Sequence, residues 1–481
     1  MRISAWNFKG ISEIVDFDIS GLNVFAGANS GGKSSLIQLL LLIKQSLEAK
    51  SLISPLKLNR PYTSMGRFEN LPRKSKNVDG FRVKFSLTTG EVGLRLRRLL
   101  DNKQSIPAHA LSAPVADIVV DFGAEQDEIV VRKFSVKFHG ELNAFFSLSR
   151  NEHQSYTVES DRLSTLFRNI SSGDELLDAV TITGVDVSFF SFFPEYFEWA
   201  DTECDSLVLT QLRINLQRIF NRITYIGPLR QEPREFYFQE DDLVDNIGNK
   251  GENAAFILSR HGHEKYRYKR IVKGEQGTIS FITHQGTFQD EVDYWISEVF
   301  GLARGVIVSK SDANRSIHTV HLEMDDGALV PINHVGFGIS QILPIVIEAL
   351  RPSSSPALAA SRHILILEQP EIHLHPVLQA QLFDFVNSCT PQTSFIIETH
   401  SDHFVNRLRR RVAEDLKERL IKKVKILFVE RDSRGIVYRL LNMSENGTFD
   451  FWPKGFFDQY DLDVKALVRA QARKRLSKKY E

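Results

Sequence analysis

Cysteine is nearly missing from this chain of 481 residues: only Cys204 and Cys389 occur, far apart and outside any C-x-x-C spacing. That excludes a disulfide framework and a zinc ribbon, and it fits a reducing compartment, so a cytoplasmic location is expected. Long apolar runs are missing too. The longest, Leu39 to Ile43, is too short to span a bilayer, and no membrane partner is expected. Met1 leads straight into the strand-like Ile3-Ser4-Ala5-Trp6-Asn7-Phe8, so no signal peptide is expected. Net charge is absent as well: Lys+Arg and Asp+Glu both number 60, so no global field draws the chain to nucleic acid, although local patches still can. There is no internal repeat. What remains is 42% hydrophobic and 25% charged, the balance of a globular protein with a full core. The length suits roughly two to four domains.

Against that plain background one stretch stands out. Gly27-Ala28-Asn29-Ser30-Gly31-Gly32-Lys33-Ser34 fits G-x-x-x-x-G-K-[ST], a phosphate-cradling loop. The apolar run Leu22 to Ala26 predicts a strand leading in, and Leu36, Ile37 and Leu39 to Ile43 predict a buried helix leading out. Glycines let backbone N–H groups close around phosphate oxygens, and the helix N-terminus adds its positive dipole end. The expected nucleotide contacts are Asn29, Ser30, Gly31, Gly32, Lys33, Ser34 and Ser35. Lys33 is expected to reach the β- and γ-phosphates of ATP, and Ser34 to ligate Mg²⁺.

A second cluster lies far along the chain. His363 to Glu371 reads as a buried strand, Ile364-Leu365-Ile366-Leu367, ending in acidic residues. This is the Walker B arrangement, in which a carboxylate at the strand end holds Mg²⁺. Glu368 occupies that place. The next residue, where a water-activating glutamate is usual, is Gln369. An amide positions water but takes no proton, and Glu371 is the alternative. Phe395-Ile396-Ile397-Glu398-Thr399-His400 predicts a further strand with His400 at its end, placed to face a γ-phosphate. His373 and His375 lack the companions of a metal site and are read as structural or interface residues. Gly336, Gly338 and Ser340 open a helix and make another anion-binding end. A single triphosphate rarely takes two such ends from one chain, so the natural arrangement has this loop cap a nucleotide held by a second copy.

The coarse organisation is a head split by an insertion. Residues 1–72 form its N-terminal part, 73–222 a β-rich and helical insertion, 223–330 a connecting α/β segment, 331–440 the C-terminal part, and 441–481 an extension with a basic, helical tail. The runs 364–367, 395–397 and 424–429 are continuously apolar, which predicts a parallel sheet covered on both faces. Ser105 to Pro114 reads as a loop. Arg407, Arg409, Arg410 and Arg411 lie on a predicted helix with an apolar stripe of Phe404, Leu408, Val412, Leu416 and Leu420. Nucleic acid is a candidate partner for those arginines, against the plainer reading of a solvated face.

These motifs resemble the ABC-type branch of P-loop ATPases, which includes structural-maintenance-of-chromosomes heads, recombination-repair ATPases and the overcoming-lysogenisation-defect family. More narrowly, the chain resembles bacterial AAA-family ATPases found alone or in defence operons such as Septu. The likeness is carried by Asn7-Phe8-Lys9-Gly10, Gly27 to Ser35, Tyr225 to Arg230, Gly336 to Gln341, Glu368 to Pro376, Glu398 to His403 and Phe451 to Asp458. It barely touches residues 72–221. The resemblance implies an α/β P-loop head that dimerises, or assembles further, around ATP, and an effector protein such as a nuclease encoded nearby. It also implies a role in antiviral defence or DNA surveillance. Glu368 for aspartate, Gln369 for glutamate and Gly336 for serine depart from the branch's pattern and imply slow turnover. Two other readings remain: a nuclease of Toprim type using Glu430, Asp461 and Asp463, and a scaffold that holds ATP without hydrolysing it.

Overall fold

The computed structural model describes residues 1–27, 32–49, 54–73, 79–93, 96, 113–140, 143–166, 179–200, 202–238, 246–311, 317–354, 363–390, 392–432, 435–451, 453 and 459–480. The chain begins with strands β1 (Arg2–Phe8), β2 (Ile11–Asp18) and β3 (Leu22–Gly27), then helix α1 (Lys33–Glu48). β1 and β2 pair antiparallel, with a bulge between Ile3 and Ala5. Thirteen residues of α1 are buried, so the helix is apolar nearly all round and sits inside the molecule.

Strands β4 (Phe81–Thr88), β5 (Pro114–Glu125), β6 (Glu128–Phe138), β7 (Phe145–Arg150), β8 (Tyr156–Ser160), β9 (Val180–Phe190), β10 (Phe193–Trp199) and β11 (Thr202–Asp205) follow. They form an antiparallel run that joins the rest of the sheet where β4 pairs β1. Alternation along β4 and β6 buries Phe81, Val83 and Phe85 and then Phe134, Val136 and Phe138. Phe192 and, on β10 itself, Phe193 and Phe197 are fully buried. Helix α2 (Leu207–Phe220) packs there too, capped by the Ser206 hydroxyl, which accepts from Leu209 N.

The remainder supplies β12 (Ile223–Ile226), β13 (Tyr237–Phe238), α3 (Ala254–His261), β14 (Lys265–Lys273), β15 (Ile279–Thr287) and α4 (Phe288–Tyr294). Next come β16 (Gly305–Lys310), β17 (Ile317–Glu323), β18 (Leu329–Pro331) and α5 (Phe337–Ser354). Then follow β19 (His363–Glu368), α6 (Pro376–Cys389), β20 (Thr393–Glu398), α7 (Asp402–Glu414), β21 (Val424–Asp432), β22 (Gly435–Leu441) and α8 (Gln459–Tyr480). No helix among the described residues is long and apolar enough to cross a membrane.

β12, β19, β20, β3 and β21 lie side by side and all parallel, in that order. Their continuous apolar runs have a direct cause. Phe25, Ile364, Ile366 and Ile396 enter the core shared with α1, while Leu22, Val24, Leu365, Leu367, Phe395 and Ile397 enter a second core shared with α5, α6 and α7. Each strand therefore buries both faces.

One expectation needs correction. The predicted stripe through Leu416 and Leu420 does not continue on the arginine helix. α7 stops at Glu414, Leu416 is 96% exposed, and only Phe404, Val405, Leu408 and Val412 form its buried apolar face. The chain turns at Asp415, whose carboxylate accepts from the backbone N–H of Leu420 at 2.7 Å, so helical periodicity ends there.

Candidate functional site

Parallel strands deliver their last residues to one edge, and in such sheets that edge is where ligands bind. Here β3 ends at Gly27, β19 at Glu368 and β20 at Glu398, with Glu368 and Glu398 side by side in register. Helix α1 begins immediately beyond β3. Its N-cap, Gly32, has φ 95°, a left-handed conformation, and a Cβ there would lie 2.0 Å from Ile436 Cδ1. Only glycine fits. Asn29, Ser30 and Gly31, expected to contact the nucleotide, lie outside the described residues, as does most of 451–458.

Lys33 is buried, and its ammonium donates to Gly27 O at 2.9 Å. Burial pulls its pKa down, while Glu398 and Glu371 pull it back up. The Ser34 hydroxyl donates to Glu398 Oε1 at 3.1 Å. Ser35 is buried, with its N–H bonded to Gly32 O at 3.0 Å inside the first helical turn.

The carboxylates crowd one another. Burial, then the charge of Glu398, pushes the Glu368 pKa up to about 7, against the bond it accepts from Tyr225 OH at 3.2 Å. Glu398 is raised by burial and by Glu371, and Glu371 by burial. Glu371 accepts the backbone N–H of His400. Glu371 Oε2 and Glu398 Oε2 are buried without a hydrogen-bond partner. Burial, then the charge of Lys33, lowers the His400 imidazole to about 4, so it is neutral at pH 7. Gln369 adopts φ 45° and donates its backbone N–H to Glu398 O at 2.8 Å.

Three residues of the site have no role assigned from the sequence: Glu398, Arg230 and Tyr225. For Glu398, a strand-terminal acid next to a Walker B strand is a readable signal. Arg230 and Tyr225 had no local signal beyond the motif they sit in. Arg230 is buried and donates to Gln341 Oε1 (3.4 Å), Glu368 O (3.4 Å) and Gln369 O (3.5 Å), with its Nε unpartnered. Burial lowers its pKa to about 10, opposed by Glu371.

The second glycine loop sits at the start of α5. Gly336 and Phe337 are exposed, Phe337 at 55%, and nothing lies within 4 Å of a Cβ built on Gly336. Ser340 is buried, and its hydroxyl donates to Phe337 O at 2.7 Å within its own helix. Gly338 faces Leu378 and Leu374 at the edge of van der Waals contact. His375 caps α6 and His373 touches the Phe337 ring, 6.1 Å between centroids. Of the arginines on α7, Arg407 and Arg411 both pair with Asp384, and Arg410 pairs with Glu414. Arg409 donates to Gly447 O at 2.8 Å.

Do the residues suit a magnesium ion? Ser34 Oγ, the orphaned Glu398 Oε2 and the mutually repelling Glu368 are hard oxygen donors short of positive charge, so they do. Among the described residues no three His, Cys, Asp or Glu side chains form a complete metal site, so part of the shell would come from phosphate and water.

Residues 185–406 match the family described as "AAA domain, putative AbiEii toxin, Type IV TA system", and residues 421–467 match "Protein of unknown function (DUF3696)". No curated protein matches the chain. Similar solved structures include an SmcHead bound to the C-winged helix domain of ScpA, at 10% identity and TM-score 0.43, covering 92% of this chain and 98% of that one. Another is the SMC head domain from Thermotoga maritima, at 10% identity and TM-score 0.37, covering 92% and 99%. A third is an Smc head domain with an extended coiled coil bound to the C-terminal domain of ScpA derived from Pyrococcus furiosus, at 10% identity and TM-score 0.40, covering 92% and 96%. Glu368, Glu371, Glu398 and His400 thus fall inside the AAA-domain match, and the chain as a whole is a mixed α/β protein built on one large mixed sheet.

Proposed function

We propose that this chain binds ATP with Mg²⁺ and hydrolyses it slowly, and that its nucleotide state controls association of two or more copies and the activity of a partner effector. The observation that carries this reading is the gathering of Lys33, Ser34, Glu368, Glu398 and His400 at the C-terminal ends of β3, β19 and β20. Lys33 would exchange its bond to Gly27 O for phosphate oxygens. Ser34, Glu398 and Glu368 would hold Mg²⁺, which supplies charge neutralisation at the β- and γ-phosphates. Neutral His400 would accept or donate a single hydrogen bond near the γ-phosphate. Gln369 would position water without deprotonating it, and Glu371, whose raised pKa suits proton transfer, is the alternative base. The exposed Gly336–Phe337 end of α5 would cap the nucleotide of a second copy, with Gly338 and Ser340 behind it. A nuclease effector, antiviral defence or DNA surveillance, a cytoplasmic site and the narrower kinship with Septu-like and overcoming-lysogenisation-defect proteins belong to this proposal and rest on motif resemblance.

The test is steady-state phosphate release by wild type and Lys33→Ala. The expectation is slow, Mg²⁺-dependent release that falls by at least about a hundredfold in the variant. Equal release by both would sink the hydrolytic reading. Gln369 also favours a second reading, a scaffold holding ATP intact; tight ATP retention with no ADP formed over hours would select it. The Toprim reading gains no support: Glu430 pairs with Arg439 at 2.9 Å on the β21–β22 hairpin, and Asp461 and Asp463 fall on helix α8.

A further inference from the structure

The β14–β15 ribbon is a two-stranded sheet of nine paired rungs. One face is committed to the protein: Tyr268 is buried, and Arg270 is bonded to Glu291 and stacked 4.4 Å over the Tyr294 ring. The turn end is fastened to α7, where Arg410 and Arg411 donate to Gln276 O and Gly277 O. The other face, toward the open end, presents three consecutive same-side rungs: Lys265 opposite Thr287, Arg267 opposite Gln285 and Lys269 opposite Thr283. Every one is a cation beside a hydrogen-bonding side chain. Lys265, Arg267, Thr283 and Gln285 are exposed, and Lys269 is half-buried.

The neighbours add more charge of the same sign. Burial, then the charges of the exposed Lys423 and Arg419, lowers the pKa of Lys269, and Lys422 adjoins Lys423 in sequence. Among the described residues none of Lys265, Arg267, Lys269, Arg419, Lys422 or Lys423 forms an ion pair. This contrasts with Arg82, Arg132, Arg150, Arg213, Arg270 and Arg439, which all do. The nearby Asp415 is occupied with the backbone N–H groups of Lys417 and Leu420. In a chain with zero formal charge, six neighbouring cations left without acids mean uncompensated repulsion that an external polyanion relieves.

We propose that this ribbon face, extended by Arg419, Lys422 and Lys423, binds the phosphodiester backbone of nucleic acid. Spacing supports the assignment. Cations two residues apart on a strand are separated by about 6.7 Å, close to the axial rise of two nucleotides along one DNA strand, about 6.8 Å. A two-stranded ribbon also has the width to enter a major groove, where Thr and Gln can meet base edges. An anionic membrane is the poorer match, because these three rungs place no exposed apolar side chain among the cations. The proposal is independent of nucleotide hydrolysis.

The probe is a labelled DNA duplex of about 24 base pairs, titrated with the full chain from roughly 50 to 300 mM salt, beside the single strand and phosphatidylserine vesicles. Wild type binds DNA with affinity that falls steeply with salt. Arg267→Glu/Lys269→Glu/Lys423→Glu binds at least about tenfold more weakly and loses about one unit of log–log salt slope per cation. The neutral triple Gln variant gives an intermediate loss and guards against misfolding, with unchanged unfolding midpoint as the control. Lys133→Glu/Lys137→Glu, on exposed positions of β6, leaves binding as it was. The proposal is overturned by absent DNA binding at low salt, by salt-independent binding, by equal losses in the ribbon and β6 variants, or by binding to vesicles alone.

Discussion

At the scale of single residues, the site is a crowd of carboxylates relieved by one lysine. Glu368 shows the consequence for stability. Its folded pKa, about 7, lies above the ordinary glutamate value, 4.5. The folded state therefore holds the proton more tightly than the unfolded chain. The stability tied to this proton is complete below pH 4.5, declines as pH rises toward 7, and stays lost above it. Glu368→Gln keeps an acceptor for Tyr225 and removes the charge. We expect it to raise the unfolding free energy of the nucleotide-free protein at pH 8 by about 1–3 kcal/mol, and to change it little at pH 4.5. Urea unfolding at the two pH values checks this; a loss of stability at pH 8 would refute it.

Gly32 is the second residue whose identity is forced. Its left-handed φ and the Ile436 side chain that fills its missing Cβ space leave no room for a substituent. Gly32→Ala is expected to cost about 1–4 kcal/mol, from strain and overlap together. Adding Ile436→Ala should recover the overlap portion and leave the strain, so the double variant is more stable than the two single losses summed. Additive losses in thermal unfolding would show that Ile436 is not what confines the loop.

At the scale of elements, α6 and α7 are joined by charge as well as by apolar packing. Asp384 is buried and receives two bonds from Arg411, at 2.7 and 3.0 Å, plus one from Arg407. Asp384→Asn would leave Arg407 without its counter-charge and Arg411 with Glu414 alone, for an expected loss of about 2–4 kcal/mol in chemical unfolding. Loosening α7 would also free the Arg411 bond to Gly277 O, so faster hydrogen exchange is expected in the β14–β15 turn than in α2. Equal exchange in both would separate the ribbon from α7. The arginines that looked like a nucleic-acid face in the sequence thus serve as clamps, while the free cations stand on the ribbon beside them.

At the scale of the whole molecule, the prediction concerns association. Phe337 is a large apolar side chain, 55% exposed, beside the exposed Gly336 at the head of α5. If a second copy closes over that end, Phe337→Asp should abolish the ATP- and Mg²⁺-dependent shift in sedimentation and leave ATP affinity unchanged only at dilutions where wild type is also a single copy. Persistent nucleotide-driven association in the variant would move the interface elsewhere. The antiparallel run β4–β11 continues from β1 in the same sheet that holds β3, β19 and β20. That run is connected by continuous strand pairing to β2 and, through the single pair Ile11–Ile436, to β22.

The sequence by itself determined the local parts. The apolar run before the glycine loop, the apolar helix that begins at Lys33 and the doubly buried strands 364–367 and 395–397 are set by short-range spacing and composition, and all are where those patterns put them. Only the tertiary structure decided which acid meets Ser34. Glu398 does so because β20, not β19, is hydrogen-bonded to β3, and strand order depends on packing between segments hundreds of residues apart. The same holds for charge: Arg411 and Lys269 look alike in a linear chain, but one finds Asp384 across a helix interface and the other, among the described residues, forms no ion pair. Periodicity fixes which side of an element a residue occupies; what stands opposite that side is fixed by the fold.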